Sequence, residues 1–311
     1  MNRELLYHPP DNQQVTVTNR LHTAREFVRP YVMIAPALVV FLLFFLIPIG
    51  YMIFLSFHEW NFISPEKTYV GMENFKRLAT DPLFLQVIQN SLIYTFLSVS
   101  LTIVISLALS LWLNKKGWIY SFVQGAVFSP HIISLVSVSM LWMWMMDADY
   151  GLLNWFVTKL GFEKVPWLTD PKYALLSLVI VSVWKSVGYY TLIFIAGLQS
   201  IPKNLYEAAA LDKASKWRVL TKITLPMLSP TLFFLTIIGL INSIQVFETI
   251  NIMTGGGPVN STKTLVYYIY ENGFTFFKLG NASAAGVILL IILTILTLIY
   301  FKVLSKKVHY Q

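Results

Sequence analysis

The sequence predicts an all-α membrane protein with about six transmembrane helices, and three observations carry that reading. Only 12% of the 311 residues are charged and 56% are hydrophobic, whereas soluble proteins carry roughly 25% charged residues; a water-facing surface cannot be assembled from this chain. Six long runs are almost free of charge, at 31–57, 87–113, 119–146, 173–198, 227–253 and 282–304, each of 23 to 28 residues. A hydrocarbon layer about 30 Å thick needs about 20 residues of helix, so each run can cross with some tilt. None shows the short two-residue alternation of a barrel strand, and helices are the other way to satisfy every backbone group in lipid.

In chain order, residues 1–29 read as a polar arm with Pro9 and Pro10 in sequence, in which 21–28, flanked by Arg20, Arg25 and Arg29, has the make-up of a short interfacial helix. The apolar run that follows is longer than a secretory core and lacks a small-residue cleavage site, so it reads as a retained first helix. The third run contains Pro130, which frees one backbone carbonyl within reach of Ser129 or a neighbouring helix and predicts a kink. The fourth and fifth runs hold Lys185 and Glu248 away from their ends. Between these two lies the 199–226 loop, and 305–311 form a tail behind the 30–304 transmembrane domain. Tryptophans such as Trp60, Trp112, Trp118 and Trp167 sit near run ends, where an amphipathic ring suits the headgroup layer.

Lys and Arg set the orientation. The arm, the 114–118 turn, the 199–226 loop and the 302–311 end carry fourteen of them, against eight in the three alternate loops. Those eight face nine acidic residues, including Asp147, Asp149 and Asp170. Positive charge collects on the cytoplasmic side, so both termini and the 199–226 loop are expected there. The net charge of +8 is then mostly a topology signal, dispersed along membrane flanks and not gathered into a nucleic-acid footprint.

Several chemistries are excluded by the residues present. There is no cysteine and hence no thiolate nucleophile or cysteine metal site. His131 is isolated on an apolar helix without partner ligands. No phosphate loop of the form G-x-x-x-x-G-K-[ST] occurs; Gly255, Gly256, Gly257 and Pro258 read as a tight turn. An intramembrane enzyme finds no HExxH motif and no paired acids.

The 199–226 loop is the most structured non-membrane stretch. Asn204 followed by Glu207 has capping-box spacing, which predicts a helix from Leu205 through three alanines to Leu211. The alanines leave a smooth face for another backbone. Docking and an amphipathic helix lying on the bilayer are both open on composition.

Glu207, Ala208 and Ala209, then Asp212, Ala214, Ile223, Leu225 and Pro226, resemble the EAA loop of ABC-importer permeases, whose pattern is roughly EAA, three residues, Gly, then I-x-LP. Where that pattern has Gly, this chain has Lys213, and because a lysine resists the left-handed conformation the bend is expected to be built differently. Further stretches, IAPALVVFLLFFLIPIGYMIFLSF, GMENFKRL, SVWKSVGYYTLIFIAGLQSIP and FETINIMTGGGPVNSTKTL, are similar to the carbohydrate-uptake branch, in particular to the first permease of maltose and glycerol-3-phosphate importers. The resemblance implies an ABC type I importer permease of a bacterial or archaeal cytoplasmic (inner) membrane, with a cytoplasmic coupling helix between spans four and five. It also implies a second related permease, two cytoplasmic ATPase subunits that bind ATP and Mg, an extracytoplasmic solute-binding protein, and no cofactor in this chain. Glu207, Ala208, Ala209, Asp212, Lys213 and Ala214 would couple to an ATPase.

For the solute path the candidates are Lys185, Tyr189, Tyr190, Asn242, Gln245, Glu248 and Asn251. Intramembrane charges are functional by default, and amide and phenol groups suit sugar hydroxyls. Lys185 and Glu248 either pair with each other or line the path. The alternative function is a stand-alone secondary transporter or channel, with Lys185 and Glu248 in ion coupling.

Overall fold

A computed structural model describes residues 29–304; the arm before them, with its interfacial segment, and the tail after them lie outside the described residues. The first helix, α1 (Arg29–Ser56), is uncharged after Arg29, turns nearly all its side chains outward and includes a π-type turn at Leu42–Leu46. The packing described below is that of the residues from Leu55 onward.

A short antiparallel pair, β1 (His58–Glu59) with β2 (Thr68–Tyr69), precedes α2 (Glu73–Thr80) and α3 (Pro82–Leu113). The start of α3 is fixed by the Asp81 carboxylate, which accepts from the Leu83 amide at 2.9 Å, and by Pro82 in the first turn. One face of α3 buries Ser91, Thr95, Ser98, Thr102, Ser106 and Ser110. Small residues three or four apart let helices approach closely in lipid, and here they meet α7 (Pro171–Ser200). Ser106 Oγ donates to the Val187 carbonyl at 3.0 Å, and the Tyr94 and Ser182 hydroxyls share a hydrogen bond.

The third span is not one helix. It divides into α4 (Trp118–Ile132) and α5 (Leu135–Met145), bent by 99°. Pro130 lies inside α4, and Ser129 Oγ donates at 2.9 Å to Ala126, whose carbonyl the missing proline N–H leaves free. The break itself falls at Ile133 and Ser134, both extended, beyond the proline. Gly188 lets α7 pass close to α4, since a Cβ there would run into the Val127 carbonyl.

After α6 (Leu152–Lys159), the start of α7 is capped by Asp170, which accepts from the Lys172 amide at 2.8 Å. In the loop before α6, the Asp147 carboxylate accepts the amides of Tyr150 and Asp149 at 2.8 and 2.9 Å, which holds its carboxyl below the usual range.

The expected fifth span, 227–253, is also redrawn. Helix α9 (Lys216–Met227) starts well before it, bends by 66° into α10 (Ser229–Ile244), and a break at Gln245–Phe247 separates the short α11 (Glu248–Met253). Apolar length alone does not show these bends. Between α7 and α9 lies α8 (Lys203–Leu211); α12 (Leu265–Tyr270) and α13 (Leu279–Leu304) complete the chain. The main core joins Tyr94, Val138, Trp142, Leu178 and Ile250, so α3, α5, α7 and α11 share one apolar centre. Asn90 on α3 ties in the glycine turn, donating to the Asn260 and Lys263 carbonyls at 3.0 and 3.1 Å.

Candidate functional site

A cavity of about 390 Å³ opens where α3, α7, α10 and α11 meet the break in the third span. Six of the seven expected path residues line it: Lys185, Tyr189 and Tyr190 from α7, Asn242 and Gln245 at the end of α10, and Glu248 at the start of α11. Asn251 does not. The expectation placed it on one continuous helix with Gln245, but the break makes α11 a separate element that turns Glu248 and Thr249 to the cavity instead.

Lys185 and Glu248 are not paired. The ion pairs among the described residues are Arg77–Glu59, Lys164–Asp149 and Lys263–Glu271. Lys185 Nζ instead donates to the carbonyls of Ile133 at 2.6 Å and of Pro130 and His131 at 3.2 Å each. Gly239 keeps the wall open beside Tyr190, because a Cβ there would stand 2.9 Å from the phenol oxygen.

Sequence reasoning missed one side of this cavity. Tyr94, Ser98 and Thr102 on α3, Ser182 and Ser186 on α7, and His131 also line it. The signal was present in the serine and threonine stripe of α3, recurring every three or four residues. For His131 no sequence signal existed, since its place depends on a break that hydropathy does not reveal. Its ring lies on Tyr189, with centroids 4.6 Å apart and planes 10° from parallel.

The loop between α7 and α9 corrects the sequence reading twice. Helix α8 begins at Lys203, with Pro202 at the cap and no side-chain capping bond; Ile201 before the proline is held extended, so Asn204 falls inside the helix and the capping box is not formed. Glu207 and Ala208 are exposed while Ala209 is buried. At the other end, Lys213 does adopt the left-handed conformation, at φ 51°. The Ala214 amide donates to the Ala209 carbonyl at 2.9 Å and the Lys213 amide to Ala210 at 3.1 Å, the two bonds of a Schellman helix end. The lysine therefore builds the bend that a glycine would build. Around it Leu211 and Trp217 are 85% and 72% exposed.

A helical membrane protein with a polar cavity among broken spans, and a structured basic loop between the spans that form it, is a solute permease in class. The chain belongs to the family of binding-protein-dependent transport system inner membrane components, whose model matches residues 103–310. It is similar to the probable ABC transporter permease protein YurN of Bacillus subtilis, at 36% identity over 88% of this chain and 94% of that one. It is also similar to the sn-glycerol-3-phosphate transport system permease protein UgpA of Pectobacterium atrosepticum, at 35% identity over 91% and 96%. Among solved structures, a permease chain of a bacterial ABC transporter that imports the acidic polysaccharide alginate matches with a TM-score of 0.79 and 27% identity, over 92% of this chain and 99% of that one. The chain is thus a membrane permease subunit of an ABC importer and not an enzyme; ATP hydrolysis lies on separate subunits and solute arrives on a binding protein.

Proposed function

We propose that this permease carries a saccharide or a sugar-like solute of the glycerol-3-phosphate type through the cavity bounded by Tyr189, Tyr190, Asn242 and Gln245, with access alternating as partner ATPases close and reopen. The observation that carries the reading is the cavity's lining, in which amide, phenol and hydroxyl groups from three helices converge; such groups donate to and accept from sugar hydroxyls. The relatives named for glycerol-3-phosphate and alginate support the solute class. ATP and Mg²⁺ bind on the ATPase pair, and a second related permease supplies the rest of the path. Helix α8, with Glu207, Ala208, Ala209, Asp212, Lys213 and Ala214, is the coupling element. Both termini and this loop face the cytoplasm, in keeping with the distribution of Lys and Arg. The stand-alone transporter reading is weaker, because Lys185 is held by carbonyls and not by Glu248.

The cysteine-free sequence allows a direct test. Asn242→Cys in the assembled importer should react with an impermeant thiol reagent from the cytoplasmic side at rest, and from the external side when vanadate traps the ATPases. Labelling that never changes side would reject alternating access through this cavity.

A further inference from the structure

Among the described residues, Lys185 is the one lysine or arginine lining the cavity, and a lone ammonium in a solute path invites the role of anion receptor. Its geometry assigns a different one. An ammonium has three N–H donors, and Lys185 makes three hydrogen bonds, all to carbonyls at the C-terminal end of α4: Pro130, His131 and Ile133. The last carbonyls of a helix have no partner within it and form the negative end of its dipole. At a break inside a membrane span lipid supplies no partner for them. A cation among them satisfies all of these demands together.

The same face of α7 also holds the His131 side chain. Tyr189 lies four positions after Lys185, one turn along the helix, and stacks on the His131 ring at 4.6 Å. Lys185 grips the His131 carbonyl and Tyr189 grips its imidazole. Resting on the reading of this cavity as a solute path, we infer that Lys185 is a positioning residue that clamps His131, and with it the break of the third span, into the cavity wall, and that it does not receive a solute anion. The wall then offers the Glu248 carboxylate and no ammonium with a donor free for an anion, so it suits an uncharged polyhydroxylated solute over a phosphate or carboxylate.

The test uses the complete importer in native membranes, with His131→Cys and Tyr189→Cys introduced into the cysteine-free chain and bridged by a short bifunctional thiosulfonate. Adding Lys185→Met should lower the bridging yield at least fivefold, and Lys185→Arg, which keeps several N–H donors, should restore it to within twofold. Adding millimolar glycerol-3-phosphate should leave the yield with Lys185 intact unchanged. Unchanged bridging in Lys185→Met at normal membrane levels would overturn the clamp. So would a fall in yield on adding glycerol-3-phosphate, because an anion receptor would leave the carbonyls for its ligand. If Lys185→Met does not reach the membrane, the Lys185→Arg and glycerol-3-phosphate comparisons still decide. No readout depends on transport, so failure of the importer reading would show in uptake while leaving the bridge intact.

Discussion

The amide of Ala214 donates to the carbonyl of Ala209 at 2.9 Å, closing the end of α8 over Lys213 in the left-handed conformation. That conformation costs a non-glycine residue roughly 1–2 kcal/mol, while glycine costs about 0.5–1 kcal/mol in backbone entropy. Lys213→Gly should therefore be neutral to stabilising by up to about 1 kcal/mol, and Lys213→Val destabilising, because a β-branched side chain fits a positive φ least well. Thermal unfolding of the purified permease checks both. A lower midpoint for Lys213→Gly would contradict the helix end described here.

Glu207 makes no capping bond and points outward. Glu207→Ala should change permease stability by no more than about 0.5 kcal/mol while weakening capture of the ATPase subunit or its stimulation by solute. A loss of permease stability matching the loss of coupling would return Glu207 to a structural role.

The alanines of α8 are unequal. Ala208 is exposed and Ala209 is 7% exposed, so Ala209→Leu should overpack the loop at a cost of about 1–3 kcal/mol. Ala208→Leu should leave stability intact and impair only ATPase docking. Protease resistance of the permease alone, compared with co-purification of the ATPase, separates the two effects. Equal protease sensitivity would refute the difference in burial.

How much of this was legible in the sequence follows from what each signal measures. Apolar length located six membrane segments, because desolvation of a helix depends on composition and hardly on its bends. It could not place the breaks after Ile132 and Ile244, because a length of apolar sequence says nothing of the path it follows. Pro130 marked the neighbourhood and Ser129 its local remedy, yet the break is stabilised by Lys185, which lies 55 residues further along the chain than Pro130. The capping box failed because Pro202 started the helix earlier than Asn204 could. For Lys213, the steric preference was correct in sign, but two backbone hydrogen bonds outweighed it.

Lys263 and Glu271 form a 2.6 Å ion pair with side chains only 9% and 15% exposed. Lys263→Met alone should destabilise the permease by about 3–5 kcal/mol, because it strands a largely buried carboxylate. Adding Glu271→Met should recover a large part of that loss. A double variant no more stable than the single would contradict the stranded-carboxylate explanation.

This chain is the membrane pathway of an importer whose energy comes from other subunits. Uptake into proteoliposomes measures it most directly, comparing this permease alone, under proton and sodium gradients, with the complete assembly of two permeases, two ATPases and the binding protein. ATP-dependent uptake by the assembly alone, abolished by vanadate, is the predicted result. Solute accumulation by this chain alone, driven by an ion gradient, would show that it needs no ATPase and overturn the importer assignment.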